Sequence, residues 1–330
     1  MLKLFEKSAV FQAFVILAVT ALLWLPHIAD PQPMPAPAPF APLYGLFYSF
    51  HFSPLLSVFL AMALVVIGGL ILNLIIADSG LVAQNSLYPT LFYILFMSAT
   101  SDTLTPTLFA GVLAIAFVKK LLIHGTPFTI SSGKIFGATA MIGLCSLFYL
   151  PSLLLLLSYF LVAISYRLYG WRDWMLLLLG LLAPYLLLWL VLYFNGTLAE
   201  SFPAMAASLA VDLSPFSFRF TLSVAANAVL LLFFAVSLYL FWRQFKEKTT
   251  LWQKNATAVI MPAVSAVALI LYAPGIPLNL HFFAIPFALA ASARFSATIR
   301  HQGFGRNRHQ WKERFRDLLF LIVIAAAVIC

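Results

Sequence analysis

Apolar side chains recur along this chain in runs of about 13 to 25 residues, and a helix needs about 20 such residues to cross the hydrocarbon of a bilayer. The runs predict helices over Ser8–Leu25, Pro54–Ala77, Leu87–Ala99, Pro106–Ile123, Ile135–Leu150, Pro151–Tyr166, Trp174–Phe194, Phe218–Trp242, Ala256–Ala273, Leu278–Ala293 and Asp317–Cys330. Inside the runs apolar and polar residues do not alternate: "LLLLL" before Ser158 and "VLLLFFAV" after Ala228 lack the period of two that a transmembrane barrel strand requires. The expected fold is therefore all-α, a polytopic transmembrane bundle of about eleven helices. Leu87–Ala99 and the pair meeting at Pro151 are too short for an upright span, so they must tilt or be packed inside protein.

The punctuation between runs is as informative as the runs. Pro26, Pro31, Pro33, Pro35, Pro37, Pro39 and Pro42 fix backbone φ and remove amide donors, which predicts a stiff polyproline-like segment. The aromatic-rich stretch Ala41–Phe52 follows it and suits a short helix lying at the membrane interface. Together they make residues 26–53 one outer loop, with a second outer loop at 195–217 and a basic cytoplasmic segment at 299–316. The first run is longer than a signal-peptide core of roughly 7 to 15 residues, so it reads as an uncleaved helix.

Charge sets the orientation. Placing the amino terminus in the cytoplasm puts 18 of the 19 Lys and Arg residues on the cytoplasmic side, leaving only Arg219 outside. Cytoplasmic loops near a membrane collect Lys and Arg in this way. Composition adds that 63% of residues are hydrophobic and 9% charged, too few charges to cover a soluble surface, so residues 1–330 form one integral membrane domain. The net charge of +9 then points to anionic lipid headgroups at the cytoplasmic face rather than to nucleic acid.

The same orientation sorts the candidate chemistry. Asp30, His51, Asp102 and His281 all fall at the outer side, where as a catalytic cluster they could hold a metal or act as general base if those helix ends meet. On the cytoplasmic side Arg167 and Arg172, set among Tyr166, Tyr169, Trp171 and Trp174, could hold a lipid phosphate or simply anchor the loop. Asn73 and Asn227 lie within apolar runs and should seek interhelical partners, and Gly68 and Gly69 would permit close helix approach. Cys145 and Cys330 have no metal or redox spacing. No metal motif, nucleophile elbow, phosphate loop or dinucleotide fingerprint is present, and no cofactor is implied.

Two stretches carry a resemblance: "NSLYPTLFYILFMSATSDTLTPTLFAGVLAIAFVKKL" from Asn85 to Leu121 and "GLCSLFYLPSLLLLLSYFLVAISYRLYGWRDWMLLLLGLLAPY" from Gly143 to Tyr185. They resemble an uncharacterised family of polytopic inner-membrane proteins of Gram-negative bacteria, which implies location in the bacterial inner membrane and no particular activity. A fainter likeness is to glycosyltransferases that use polyprenyl-phosphate sugars, because Asp30 occupies the place of an acidic residue in their first outer loop. Three functions follow as expectations. The first is an accessory component of envelope assembly with a membrane-protein partner. The others are a transferase acting on a polyprenyl-phosphate lipid, and a transporter or lipid flippase.

Overall fold

A computed structural model of the chain describes residues 9–82, 87–123, 130–168, 170–209, 222–272 and 277–300, with side chains described at all of these except 9, 222–231, 244, 277–279 and 294–300. Among the described residues every regular element is helical. In chain order they are α1 (Ala9–Ala29), α2 (Pro42–Tyr48), α3 (Pro54–Asp78), α4 (Tyr88–Ser98), α5 (Pro106–Leu121), α6 (Ser132–Phe148) and α7 (Leu155–Tyr166). They continue as α8 (Trp171–Phe194), α9 (Leu198–Ser208), α10 (Leu222–Phe245), α11 (Thr250–Ile260), α12 (Pro262–Tyr272) and α13 (Ala284–Arg300). A 3-10 turn, Leu150–Leu154, leads into α7, and another, Pro277–Phe283, leads into α13. Four of the helical stretches, Val10–Ala29, Pro54–Asp78, Trp171–Phe194 and Thr250–Tyr272, are long and apolar enough to cross a membrane.

Local chemistry sets the helix starts. Pro54 and Pro106 stand in the first turn, where a missing amide hydrogen costs nothing, and the preceding Ser53 and Thr105 accept from the free amides of Leu56 and Leu108. Thr249 does the same for Trp252 at the start of α11. The expected helix Ala256–Ala273 is two helices: Pro262 has no amide hydrogen to continue the ladder, so the chain breaks at Met261. The expected interfacial helix is confined to α2, and the outer loop expected at 195–217 carries a helix of its own, α9. The expected helix Asp317–Cys330 and residues 301–316 of the basic segment lie outside the described residues.

The bundle is built around α4. All eleven of its residues are buried, and eleven residues rise only about 16 Å against a hydrocarbon core of about 30 Å. It is thus a central peg, wrapped chiefly by α3 and α13 with α1 beside it. Phe92 and Phe96 pack on Phe287 of α13 at ring separations of 6.1 and 4.9 Å. On the α3 side, Gly68 and Gly69 let the helices close in. A Cβ at Gly68 would lie 3.1 Å from the Tyr93 hydroxyl oxygen, and Thr90 Oγ1 donates to the Gly69 carbonyl at 3.1 Å.

A second close seam joins α6 to α8. A Cβ at Gly180 would lie 2.1 Å from Thr139 Oγ1 and 2.5 Å from the Phe136 carbonyl oxygen, and one at Gly143 would lie 2.7 Å from the Leu181 carbonyl oxygen. Small residues let two backbones touch where no hydrophobic force drives helices together. A hydrogen bond of 2.6 Å between Ser146 and Tyr185 closes the same seam. The rest of α8 turns outward, with Leu178, Leu182, Leu186 and Leu190 exposed, a surface suited to lipid.

Candidate functional site

Hydrogen bonds gather the helix ends into two poles of different chemistry. At one, the carboxyl end of α5 presents carbonyls that its own helix cannot satisfy, and other elements take them in turn. Tyr166 donates toward the carbonyls of Leu121 and Lys254, Lys134 Nζ donates to that of Leu122 at 2.7 Å, and Asn255 binds both polar groups of Ile123. Lys119 and Lys120 occupy the last turn of α5, and Lys254 Nζ lies 5.7 Å from the Tyr166 ring centroid. Cations beside a helix carboxyl end are electrostatically favoured. This is the lysine pole.

The opposite pole is organised by the segment from Ala99 to Thr105, which joins α4 to α5 without helix. Ser101, Thr103, Leu104 and Thr105 are buried, so their polar groups need partners inside the protein. His281, on the 3-10 turn before α13 and 1% exposed, partners Ser101 and also its neighbours Thr100 and Thr107. Its Nε2 lies 3.0 Å from the Thr100 carbonyl oxygen and 2.6 Å from Ser101 Oγ, while its Nδ1 lies 2.8 Å from Thr107 Oγ1. A carbonyl oxygen only accepts, so Nε2 carries the hydrogen and Nδ1 receives one from the Thr107 hydroxyl. Thr107 is also 3.2 Å from Thr105 Oγ1, which caps α5.

The same segment is held from two further sides. Ser57 Oγ donates to the Pro54 carbonyl at 2.7 Å and so accepts from Thr103, 2.8 Å away. The Tyr44 hydroxyl lies between the carbonyls of Pro35 and Leu104, at 2.8 and 3.1 Å, tying the proline-rich segment and α2 to the hub. Burial, with Tyr48 nearby as a lesser influence, raises the Tyr44 pKa above the ordinary phenol value, so the hydroxyl keeps the hydrogen it must donate.

Of the predicted catalytic residues, His281 is brought against the segment that carries Asp102, a half-exposed side chain at the rim of the hub. Asp30 is exposed at the end of α1 and accepts from Gln32 at 3.3 Å. His51 is exposed in a left-handed backbone conformation, φ 48°, with Nδ1 2.7 Å from the Ser49 carbonyl oxygen and its ring 6.2 Å from that of Tyr48. Among the described residues no three or more His, Cys, Asp or Glu are grouped so as to hold a metal. An imidazole that carries its hydrogen on the nitrogen facing Ser101 cannot accept the Ser101 proton, so this pair is a fastening rather than an activated nucleophile.

The two predicted phosphate-binding arginines are exposed at the lysine pole. Arg167 ends α7 in a left-handed conformation, φ 58°, and Arg172 lies in the first turn of α8. Asn73 is buried, and its Oδ1 meets no partner among the described residues. The Asn227 side chain lies outside the described residues. Cys145 is a free, buried thiol 3.4 Å from the Ala110 carbonyl oxygen.

The fastening hydroxyls Ser57, Ser101, Thr103, Thr105, Thr107 and Tyr44 escaped sequence reasoning aimed at carboxylates and histidines. For Ser101, Thr103, Thr105 and Thr107 the signal is the run "SATSDTLTPT" from Ser98 to Thr107, unusually dense in hydroxyls for a joint between two apolar helices; Ser57 and Tyr44 carry none. The described residues also enclose an open apolar cavity of about 360 Å³ between the start of α7 and the ends of α9 and α12, lined by Pro151, Leu154, Leu157, Phe160, Leu209 and Tyr272 among others.

No protein family, no curated protein and no solved structure matches the chain.

Proposed function

We propose that this chain is a multi-pass protein of a bacterial inner membrane, its lysine pole in the cytoplasm and its histidine pole outside, and that it serves envelope assembly as a non-catalytic component with a membrane-protein partner. In this reading about eleven helices cross the membrane, and the lysine pole rests on anionic headgroups. One observation carries the component reading. His281, the buried member of the candidate catalytic set, has both ring nitrogens committed, Nε2 to the segment between α4 and α5 and Nδ1 to Thr107 at the start of α5, while Asp30 and His51 are exposed with only local partners. Such an arrangement preorganises the outer face, which lowers the ordering cost of binding a partner.

Gentle solubilisation and size-exclusion chromatography test the reading. A second protein in fixed ratio is expected to travel with the chain; elution of the chain alone, monodisperse and folded, would contradict it.

The apolar cavity favours a second reading, a transferase that uses a polyprenyl-phosphate lipid, because an isoprenoid or acyl chain is the ligand such a lining suits. Here Asp30 and Asp102 are the acid or base. Asp30→Asn and Asp102→Asn should abolish turnover of a polyprenyl-phosphate sugar while leaving melting temperature unchanged. Full turnover by both variants would remove this reading.

A further inference from the structure

We propose that the proline-rich segment on the histidine pole is a preformed docking ridge for a protein partner that offers an aromatic-lined groove. The observation is a period of three in its burial. Pro31, Met34 and Pro37 are half-buried and Phe40 is buried, whereas Pro33, Ala36 and Pro39 are exposed. Three residues per turn is the repeat of a polyproline II helix, so one row of side chains faces the bundle and another faces away. The inward row is anchored by apolar contact: Phe40 packs with Leu147, Leu150 and Tyr185, and Met34 packs on the main core.

Hydrogen bonds fix the backbone near the middle and at the end. The Pro35 carbonyl accepts from Tyr44, and the Phe40 amide donates to Ser208 Oγ of α9 at 2.7 Å. Five of the nine residues from Pro31 to Pro39 are prolines, so little conformational freedom is left to lose on binding.

The outward row selects the kind of partner. It carries proline rings and a methyl group, without charge and without any large side chain, while the two bulky residues Met34 and Phe40 point inward. A segment meant to enter lipid would present the bulky residues outward; one meant for phosphate would present cations. Exposed proline rings in a row that carries no large side chain instead fit between aromatic planes, with Pro33 and Pro39 two turns and about 19 Å apart. This inference rests on the component reading and names the surface through which that component is held.

The test is a scan with a benzophenone amino acid placed singly at positions 32 to 39 and illuminated in native membranes. Adducts to one protein, mapping to a Tyr- or Trp-bearing segment and strongest at 33, 36 and 39, are expected. No adduct, adducts only to lipid or to a second copy of the chain, or yields without the three-residue period would overturn the inference. Ala36→Asp gives an independent arm: it should keep the melting temperature and lower co-purification of the partner at least tenfold. Undiminished co-purification overturns the ridge and leaves the component reading standing, whereas failure of the unaltered chain to retain any partner overturns both.

Discussion

Asn255 grips Ile123 by both of its backbone groups, accepting from its amide through Oδ1 at 2.9 Å and donating to its carbonyl through Nδ2 at 3.0 Å. Ile123 lies just past the end of α5, where no helical partner remains, and both residues are buried. The amide side chain thus replaces a missing turn of backbone and fastens α11 to α5. Asn255→Leu would strand both groups, each costing roughly 1 to 3 kcal/mol when buried. A loss of about 2 kcal/mol or more in reversible unfolding from detergent is expected, and a loss under about 0.5 kcal/mol would show the groups finding other partners.

The seam between α6 and α8 gives a contrasting pair of glycine substitutions. Gly180→Ala places a methyl inside the contact distance of both Thr139 Oγ1 and the Phe136 carbonyl, so the helices must separate. Overpacking of this kind costs about 1 to 3 kcal/mol. Gly45→Ala in α2 meets no atom within 4 Å and should be neutral or slightly stabilising. Thermal unfolding of the two variants side by side checks the seam, since equal melting temperatures would mean that α6 and α8 do not touch there.

His281→Leu keeps the volume of the side chain roughly and removes two contacts to the segment between α4 and α5 and one to Thr107 in the first turn of α5. The expected result is faster amide hydrogen exchange confined to residues 99–107, with protection in α4 little changed. Slowed or unaltered exchange there would mean that the imidazole does not hold the loop.

Tyr44→Phe removes one hydroxyl that serves two carbonyls, those of Pro35 and Leu104. A net loss of about 1 kcal/mol is expected, with the proline-rich segment becoming more open to protease than the rest of the histidine pole. Cleavage spread evenly over the loops of that pole would point to general unfolding instead.

Helix positions were legible because apolar runs and proline punctuation are local. Pro54 and Pro106 could be read as starts from sequence, and both are. The break at Met261 was missed because the apolar run continues through Pro262, and hydropathy does not register one absent amide hydrogen. The helix α9 was missed for the opposite reason: Glu200, Ser201 and Pro203 interrupt its apolar pattern, so it read as loop. The burial of α4 on all sides was foreshadowed only by its shortness.

The candidate site was less legible. His281 and Ser101 are separated by 180 positions, and only the tertiary fold brings them within 2.6 Å. Hydroxyls and backbone carbonyls, rather than carboxylates and histidines, make up most of the hub. The period of three in the proline-rich segment could not be read from alternate prolines alone. It became visible only when burial separated the row of Met34 and Phe40 from the row of Pro33 and Ala36.

The opposition of the two poles across a membrane is the claim on which the functional account stands, and cysteine labelling tests it directly. Cys145 is buried and can remain, and Cys330 is replaced by Ser. Ser49→Cys and Arg172→Cys each add one exposed thiol, the first at the end of α2 on the histidine pole and the second at the lysine pole. A membrane-impermeant maleimide applied to intact spheroplasts should label position 49 at once and position 172 only after the membrane is opened. Labelling of position 172 in intact spheroplasts with position 49 protected would contradict the account.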